Sequence, residues 1–439
     1  MATKKVPIVA IVGRTNVGKS SLFNAILGRQ EAITAREAGT TRDSLWARSE
    51  HKGHSFWLVD TAGMKEAEDD FEFTIQEQIQ QAADSADVIW VVIEADSIIN
   101  DEERRIAKLA LKTKKPVMLV VNKHDKRRRA VAEDYQRLGI KPIILTSVTQ
   151  HRGIDQLLDQ LVQVIPTVSV KVASETIKVA ILGRPNVGKS QLFNTLSKKQ
   201  QAIVADRAGT TRDINRTDIR YEGKEIQLLD TAGIRRSGKI ERGVERFSVI
   251  RTLSAIEEAE VCLLLIDVNE SSVALDQKIA GMIKEAGKGL ILVVSKWDSV
   301  EGKTAYTRDE LAPGIKADYI FVPWAPLIFT SAVTGQNVTK LFELVLEIYK
   351  TRRTELKTTE LNRWLQEVIS AHPPAGLKNR MPKLNYMVQE EDNFTPSFKV
   401  FGAHTRFLHW SYKRYMERRF REAFGFSGTP VKFWFIEKH

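Results

Sequence analysis

Residues 13–20 read GRTNVGKS, and residues 183–190 read GRPNVGKS. Glycines at both ends of a short loop closed by Lys-Ser suit one task. Their backbone N–H groups can curl around phosphate oxygens with no Cβ in the way. A helix beginning at that loop adds partial positive charge. On this reading Gly13, Arg14, Thr15, Asn16, Val17 and Gly18 form a phosphate cradle, Lys19 reaches the outer phosphates, and the Ser20 hydroxyl binds Mg²⁺. Gly183, Arg184, Pro185, Asn186, Val187, Gly188, Lys189 and Ser190 repeat the set.

DTAG follows at 60–63 and again at 230–233. Asp60 and Asp230 end apolar runs, where a carboxylate can hold Mg²⁺ directly or through water. Thr61 and Ala62, and Thr231 and Ala232, continue those turns. Gly63 and Gly233 offer a backbone N–H to a γ-phosphate. Thr41 and Thr211, inside two AGTTRD repeats, provide a second hydroxyl for the metal.

NKHD at 122–125 and SKWD at 295–298 supply a base reader. An aspartate accepts two hydrogen bonds, from the N1–H and the amino group of guanine. Adenine lacks that donor pair, so Asp125 and Asp298 select guanine. The stems of Lys123 and Lys296 pack over the base, beside His124 and Trp297. Asn122 braces its loop against the phosphate loop and touches the base edge. TSV at 146–148 and TSA at 330–332 recur in order after NKHD and SKWD and add Ser147 and Ser331 to the candidate nucleotide-binding residues. Ser295 stands where the first copy has Asn122. Losing one or two hydrogen bonds costs about 1–3 kcal/mol. A weaker second site that keeps its guanine preference is therefore expected.

These motifs need scaffolds to hold them. The first three pairs are offset by 170 residues, NKHD and SKWD by 173, and TSV and TSA by 184. Two homologous units thus follow one another, the second enlarged between its last two motifs. Each alternates apolar strand-like runs without polar alternation, such as VPIVAIVG and PVMLVVNK, with helical patterns. That is the signature of an α/β, doubly wound, mostly parallel sheet. The domains expected are residues 1–166, a linker 167–176, residues 177–350, and a small basic α+β domain, 351–439. That last segment holds sixteen Lys/Arg against nine Asp/Glu, seven of the chain's net +11. Such a balance suits a polyanionic partner.

At 439 residues, 43% hydrophobic and 28% charged, the chain is an ordinary globular protein of about three domains. No run reaches the roughly 18–20 apolar residues of a membrane span. Five residues, MATKK, precede the first strand-like run, so no leader peptide is expected. The single cysteine, Cys262, lies in the apolar run VCLLLIDV and is expected to be buried, which fits a reducing cytoplasm.

Together the motifs resemble the P-loop GTPases of the translation-factor-related class. The order GTPase, GTPase, basic domain resembles the EngA (Der) family of tandem-domain ribosome-assembly GTPases, in the TrmE-Era-EngA group. LNRWLQ (361–366), HPPA (372–375), KLNYMVQ (383–389), PSFKVF (396–401) and the stretch 412–433 are similar to that family's KH-like domain. The resemblance implies a GTP-hydrolysing switch in maturation of the large ribosomal subunit. It also implies ribosomal RNA as partner, a cytoplasmic monomer, no membrane, and Mg²⁺. Many GTPases orient the attacking water with a Gln after DxxG. Here Met64 and Ile234 hold that place. In related GTPases of this kind the P-loop Asn, here Asn16 and Asn186, helps bind K⁺. The resemblance therefore puts Lys19, Lys189, Asn16, Asn186, Gly63 and Gly233 in catalysis, with K⁺ stimulation.

Departures from the family pattern are Thr15 for Pro, Val148 for Ala, and Gln191 for a small residue. GFSG at 425–428 spells a KH clamp but precedes the last strand, and is expected to be a turn. Tyr412, Tyr415, Phe420 and Phe424 are expected to face a core. Docking of the last domain on a GTPase unit is a further use for it. Two other functions fit the motifs: an RNA-binding scaffold with nearly inactive sites, and a GTPase acting on a different RNA.

Overall fold

The computed structural model describes residues 6–31, 46–61, 79–80, 82–83, 85–95, 99–126, 131–165, 176–199, 216–230, 249–376, 380–391 and 395–437. The sequence expectations for Thr41, Ala62, Gly63, Met64, Thr211, Thr231, Ala232, Gly233, Ile234 and nearly all of the linker lie outside the described residues. So does the side chain of Asp230.

The first α/β module is built on β1 (Ile8–Val12), β2 (Trp46–His51), β3 (His54–Asp60), β4 (Val88–Glu94), β5 (Val117–Asn122) and β6 (Ile143–Leu145). Their order is β2-β3-β1-β4-β5-β6. β2 is antiparallel to β3, and the other pairs are parallel. β1 and β5 are buried along their whole length, which is why they read as unbroken apolar runs. The helices are α1 (Lys19–Glu31), α2 (Asp101–Lys112) and α3 (Ile154–Val164). Asn100 and Glu103 close a capping box at the start of α2. At the β2–β3 turn, Lys52 and Gly53 have φ of 48° and 79°, the left-handed pair that a tight hairpin requires.

The second module repeats this plan with β7 (Ile177–Leu182), β8 (Arg216–Tyr221), β9 (Lys224–Asp230), β10 (Val261–Asp267), β11 (Gly289–Ser295) and β12 (Leu327–Phe329). Its order is β12-β11-β10-β7-β9-β8, strand for strand the order of the first. Its helices are α4 (Lys189–Lys199), α5 (Val249–Glu258), α6 (Ala274–Glu285), α7 (Thr307–Asp318) and α8 (Lys340–Thr351). α7 lies between the last two motifs, where the repeat offset widens. Cys262 is buried in β10, and burial pushes its thiol up to about 12, so it is structural rather than reactive.

The C-terminal module contains α9 (Thr358–Ala371), β13 (Lys383–Gln389), β14 (Ser397–Ala403), α10 (Trp410–Phe424) and β15 (Lys432–Glu437). β14 pairs antiparallel with β13 and parallel with β15. The parallel pair needs a crossover, which α10 provides. Trp364, Phe398, Phe420 and Phe426 fill the core, with Trp364 edge-on to Phe420 at 5.2 Å. Tyr412 and Phe420 are buried there, and Tyr415 and Phe424 pack against them, as their spacing predicts.

The first module forms one compact unit. The second module and the C-terminal module together make up most of the other. Within that second unit, GFSG is a docking turn. Gly428 N–H donates to Trp324 O at 2.8 Å, and Gly428 O accepts from Leu290 N–H at 2.9 Å. Buried Arg352 donates to Thr429 Oγ1 at 2.8 Å and to Gly287 O at 2.9 Å. Thr395 Oγ1 donates to the same Gly287 carbonyl at 2.9 Å. Gly428 has φ 72°, and a Cβ there would lie 2.3 Å from the Ile348 side chain. Gly428→Val should therefore cost about 2–4 kcal/mol through overpacking and backbone strain. Denaturant unfolding followed by tryptophan fluorescence checks this: the midpoint should fall, and an unchanged midpoint would contradict the docking role.

Candidate functional site

At the C-terminal end of β1 the chain turns through Gly13–Gly18 into α1, beside the ends of β3 and β4. This is the crevice where parallel sheets of this order bind ligands. Gly13 is obligatory, because a Cβ on it would lie 2.3 Å from Val92 O. Asn16 has φ 64°, and so does Asn186 in the second loop. Lys19 is buried over its own loop, with Nζ donating to Gly13 O at 2.7 Å and Arg14 O at 2.5 Å. Ser20 Oγ donates to Asp60 Oδ2 at 2.5 Å, bringing together the two predicted oxygen ligands. Thr61 Oγ1 donates to Ile11 O at 2.7 Å, which ties the DTAG start to β1.

The base loop leaves β5. Asn122 is buried, and its Nδ2 donates to Val17 O at 3.1 Å. Its Oδ1 accepts from Thr146 Oγ1 at 3.2 Å. The amide thus links the phosphate loop to the loop that carries Ser147. Lys123 (φ 60°) donates through Nζ to Asn16 O at 2.7 Å and pairs with Glu94 at 3.0 Å. His124 N–H donates to Thr146 O. Ser147 Oγ donates to Asp125 Oδ1 at 2.5 Å, fixing the carboxylate. A carboxylate can accept two parallel N–H donors, as the edge of guanine offers.

In the second module Gly183 and Gly188 have φ of 144° and 97°, and Lys189 Nζ donates to Arg184 O at 2.7 Å. Ser331 Oγ donates to Asp298 Oδ1 at 2.5 Å, matching the first site. Lys296 Nζ pairs with Asp267 at 2.7 Å. Burial alone would raise the Asp267 carboxyl, but hydrogen bonds from Lys296 and Asn269 outweigh it and hold it below the usual range. Trp297 is buried edge-on to Phe329, with Lys303 and Arg308 over its ring at 5.6 and 5.3 Å.

Ser295 keeps part of the brace that Asn122 makes in the first module. Its Oγ lies 2.8 Å from Val187 O and 3.1 Å from Ile266 O, both acceptors. Val187 corresponds to Val17, so the shorter side chain still braces the phosphate loop through the same carbonyl. What the second copy lacks is the amide bulk and the link to the threonine. Thr330 Oγ1 donates only to Val294 O, at 3.4 Å, among the hydrogen bonds described for it.

Two partners of the second phosphate loop carry no sequence motif. Arg184 pairs with Glu270 at 2.5 Å, and its Nε faces the fully buried Asp276 at 3.4 Å. Asp276 Oδ1 also accepts from the Arg184 backbone N–H at 3.4 Å. Burial pushes the Asp276 carboxyl up to about 6 even beside that guanidinium. The signal available was register alone: Asp276 stands 173 residues after Glu103, the offset of the base loops.

A family profile described as 50S ribosome-binding GTPase matches residues 8–123 and 178–296. A second, described as KH-domain-like of EngA bacterial GTPase enzymes, matches residues 355–435. The solved structure of Era from Aquifex aeolicus bound to GDP·AlF4⁻ is 23% identical, covering 60% of this chain and 94% of its own. Its TM-score of 0.28 makes this a local likeness only. Fold and profiles define a tandem P-loop GTPase with a KH-like C-terminal module. GTPase Der of Chloroflexus aggregans is 42% identical over 97% of this chain and 96% of its own length. GTPase Der of Herpetosiphon aurantiacus is 40% identical over 97% and 95%. The chain belongs to the GTPase Der (EngA) family.

Replacing Ser295 by Ala removes the donor to Val187 O and leaves that buried carbonyl to find another. GDP affinity of the second site should fall by about 5- to 150-fold, from about 1–3 kcal/mol. Calorimetric titration checks it, and an unchanged second affinity would show that the brace is dispensable.

Proposed function

We propose that this chain is a cytoplasmic GTP-hydrolysing switch acting in assembly of the large ribosomal subunit, with ribosomal RNA as its macromolecular partner. The observation that carries the proposal is the paired construction of both sites. Each has a phosphate loop with a buried lysine, tied through the Val17 or Val187 carbonyl to a loop bearing a fixed aspartate. The family profiles and the basic C-terminal module support the ribosomal assignment.

In this reading Asp125 and Asp298 select guanine, and backbone N–H groups after Ser147 and Ser331 meet its O6. Lys19 and Lys189, with the loop N–H groups, stabilise charge growing on the phosphates as water attacks. The Ser20 hydroxyl and the Asp60 carboxylate form an oxygen pair that fits Mg²⁺. That ion, once bound, neutralises phosphate charge. Thr41, Ser190, Thr211 and Asp230 complete the two metal sets by sequence. Gly63 and Gly233 would sense the γ-phosphate, and the segments around them would be the two-state element that gates ribosome binding. With Met64 and Ile234 unable to orient water, Asn16 and Asn186 would hold K⁺. Their identical left-handed backbone, in loops of matching sequence, supports one shared task. Among the described residues no helix is long and apolar enough to cross a membrane. A soluble monomer is the simplest assembly.

Co-sedimentation with large ribosomal subunits tests the switch. Binding should be markedly stronger with a non-hydrolysable GTP analogue than with GDP, and binding indifferent to nucleotide would contradict it. Turnover by Lys19→Ala and Lys189→Ala chains should be several-fold faster in K⁺ than in Na⁺ at equal ionic strength. Equal rates would remove the K⁺ role.

A further inference from the structure

The two base sites differ in one volume. In the first, the Asn122 amide lies against the phosphate loop: a Cβ on Gly18 would meet Asn122 Nδ2 at 2.3 Å. In the second, nothing lies within 4 Å of a Cβ on Gly188. Ser295 ends two heavy atoms short of asparagine, and its hydroxyl is turned to Val187 O and Ile266 O. The space belongs to a cavity that runs from Asp298 and Ala332 to Gly188, Val187 and Leu265.

Ring geometry says which part of a base meets that space. With N1–H and the amine of guanine on Asp298, and O6 at the backbone of Ala332, the next position around the planar ring is N7. N7 then lies on the side of residue 295. In the first site the Asn122 amide occupies that side, and one of its N–H groups can reach N7. In the second site the one hydroxyl proton of Ser295 is committed to a backbone carbonyl. N7 there meets no side-chain donor from residue 295, and room remains next to it.

We propose that the second site, unlike the first, accepts guanine nucleotides substituted on the imidazole edge, 7-methylguanosine diphosphate in particular, and that Ser295 sets this specificity. This rests on the guanine-nucleotide reading above. A methyl on N7 removes the acceptor that lacks a donor and fills apolar space beside Val187 and Leu265. The positive charge it places on the ring faces the carbonyls of Val187 and Ile266. In the first site the same methyl collides with the Asn122 amide. Loss of that hydrogen bond and the clash both oppose binding.

The test uses full chains in which one base reader is disabled: Asp125→Asn leaves the second site to report, and Asp298→Asn the first. GDP and 7-methyl-GDP are titrated into each by calorimetry. In the Asp125→Asn chain the two ligands should bind within about tenfold of each other. In the Asp298→Asn chain 7-methyl-GDP should be weaker than GDP by about 100-fold or more. Adding Ser295→Asn to the Asp125→Asn chain should abolish 7-methyl-GDP binding while GDP still binds, which also shows that the variant folds. Equal rejection of 7-methyl-GDP by both sites, or discrimination unmoved by Ser295→Asn, would overturn the proposal and leave the nucleotide reading intact. Failure of GDP itself to bind either chain would overturn both.

Discussion

One backbone carbonyl in each α/β module couples the two halves of its site. Val17 O and Val187 O lie in the phosphate loops, and each accepts a hydrogen bond from the first residue of the base loop, 105 and 108 positions away. A phosphate loop is otherwise held by glycine geometry and by the helix it opens. A base loop is held by the strand it leaves. The bond between them fixes the distance from the glycine loop to the aspartate loop. Buried carbonyls need donors, so the loops are coupled by a penalty on separation as well as by a contact. Asparagine satisfies this carbonyl with an amide that also reaches the neighbouring threonine. Serine satisfies it with a hydroxyl alone, and the site around it opens.

The C-terminal module is fixed within its unit by the same kind of contact. Gly428, Arg352 and Thr395 bring backbone and side-chain hydrogen bonds to Gly287, Leu290 and Trp324. Leu290 lies in β11, the strand that ends at Ser295. The strand that presents the second base loop is therefore also one to which the basic module is attached.

Much of this was legible in the residues. Fully buried parallel strands must be apolar throughout, so VPIVAIVG and PVMLVVNK announced their places in the sheets. Glycines that sit under a carbonyl, such as Gly13, tolerate no substitute, so the phosphate loops carried their own signature. The role of GFSG was half legible: a turn followed from its place before β15, but what it touches did not. Contacts to backbone atoms leave little trace in residue identity. The bracing place of Ser295 was legible from its match to Asn122, but its acceptors were not, because they are backbone carbonyls that any residue could supply. Asp276 was hidden differently. On α6 it falls among Ile279, Ala280 and Ile283, where an aspartate breaks the apolar face without naming its partner, and only folding brings Arg184 to it.

The central claim is that one chain holds two guanine nucleotides, each spanning a phosphate loop and an aspartate loop tied by a single carbonyl. Titration calorimetry of the full chain with GDP, and in parallel with ADP, measures this most directly. The expected result is two GDP bound per chain, one lost in each of the Asp125→Asn and Asp298→Asn variants, and no binding of ADP. A single GDP per chain, or ADP binding comparable to GDP, would contradict it.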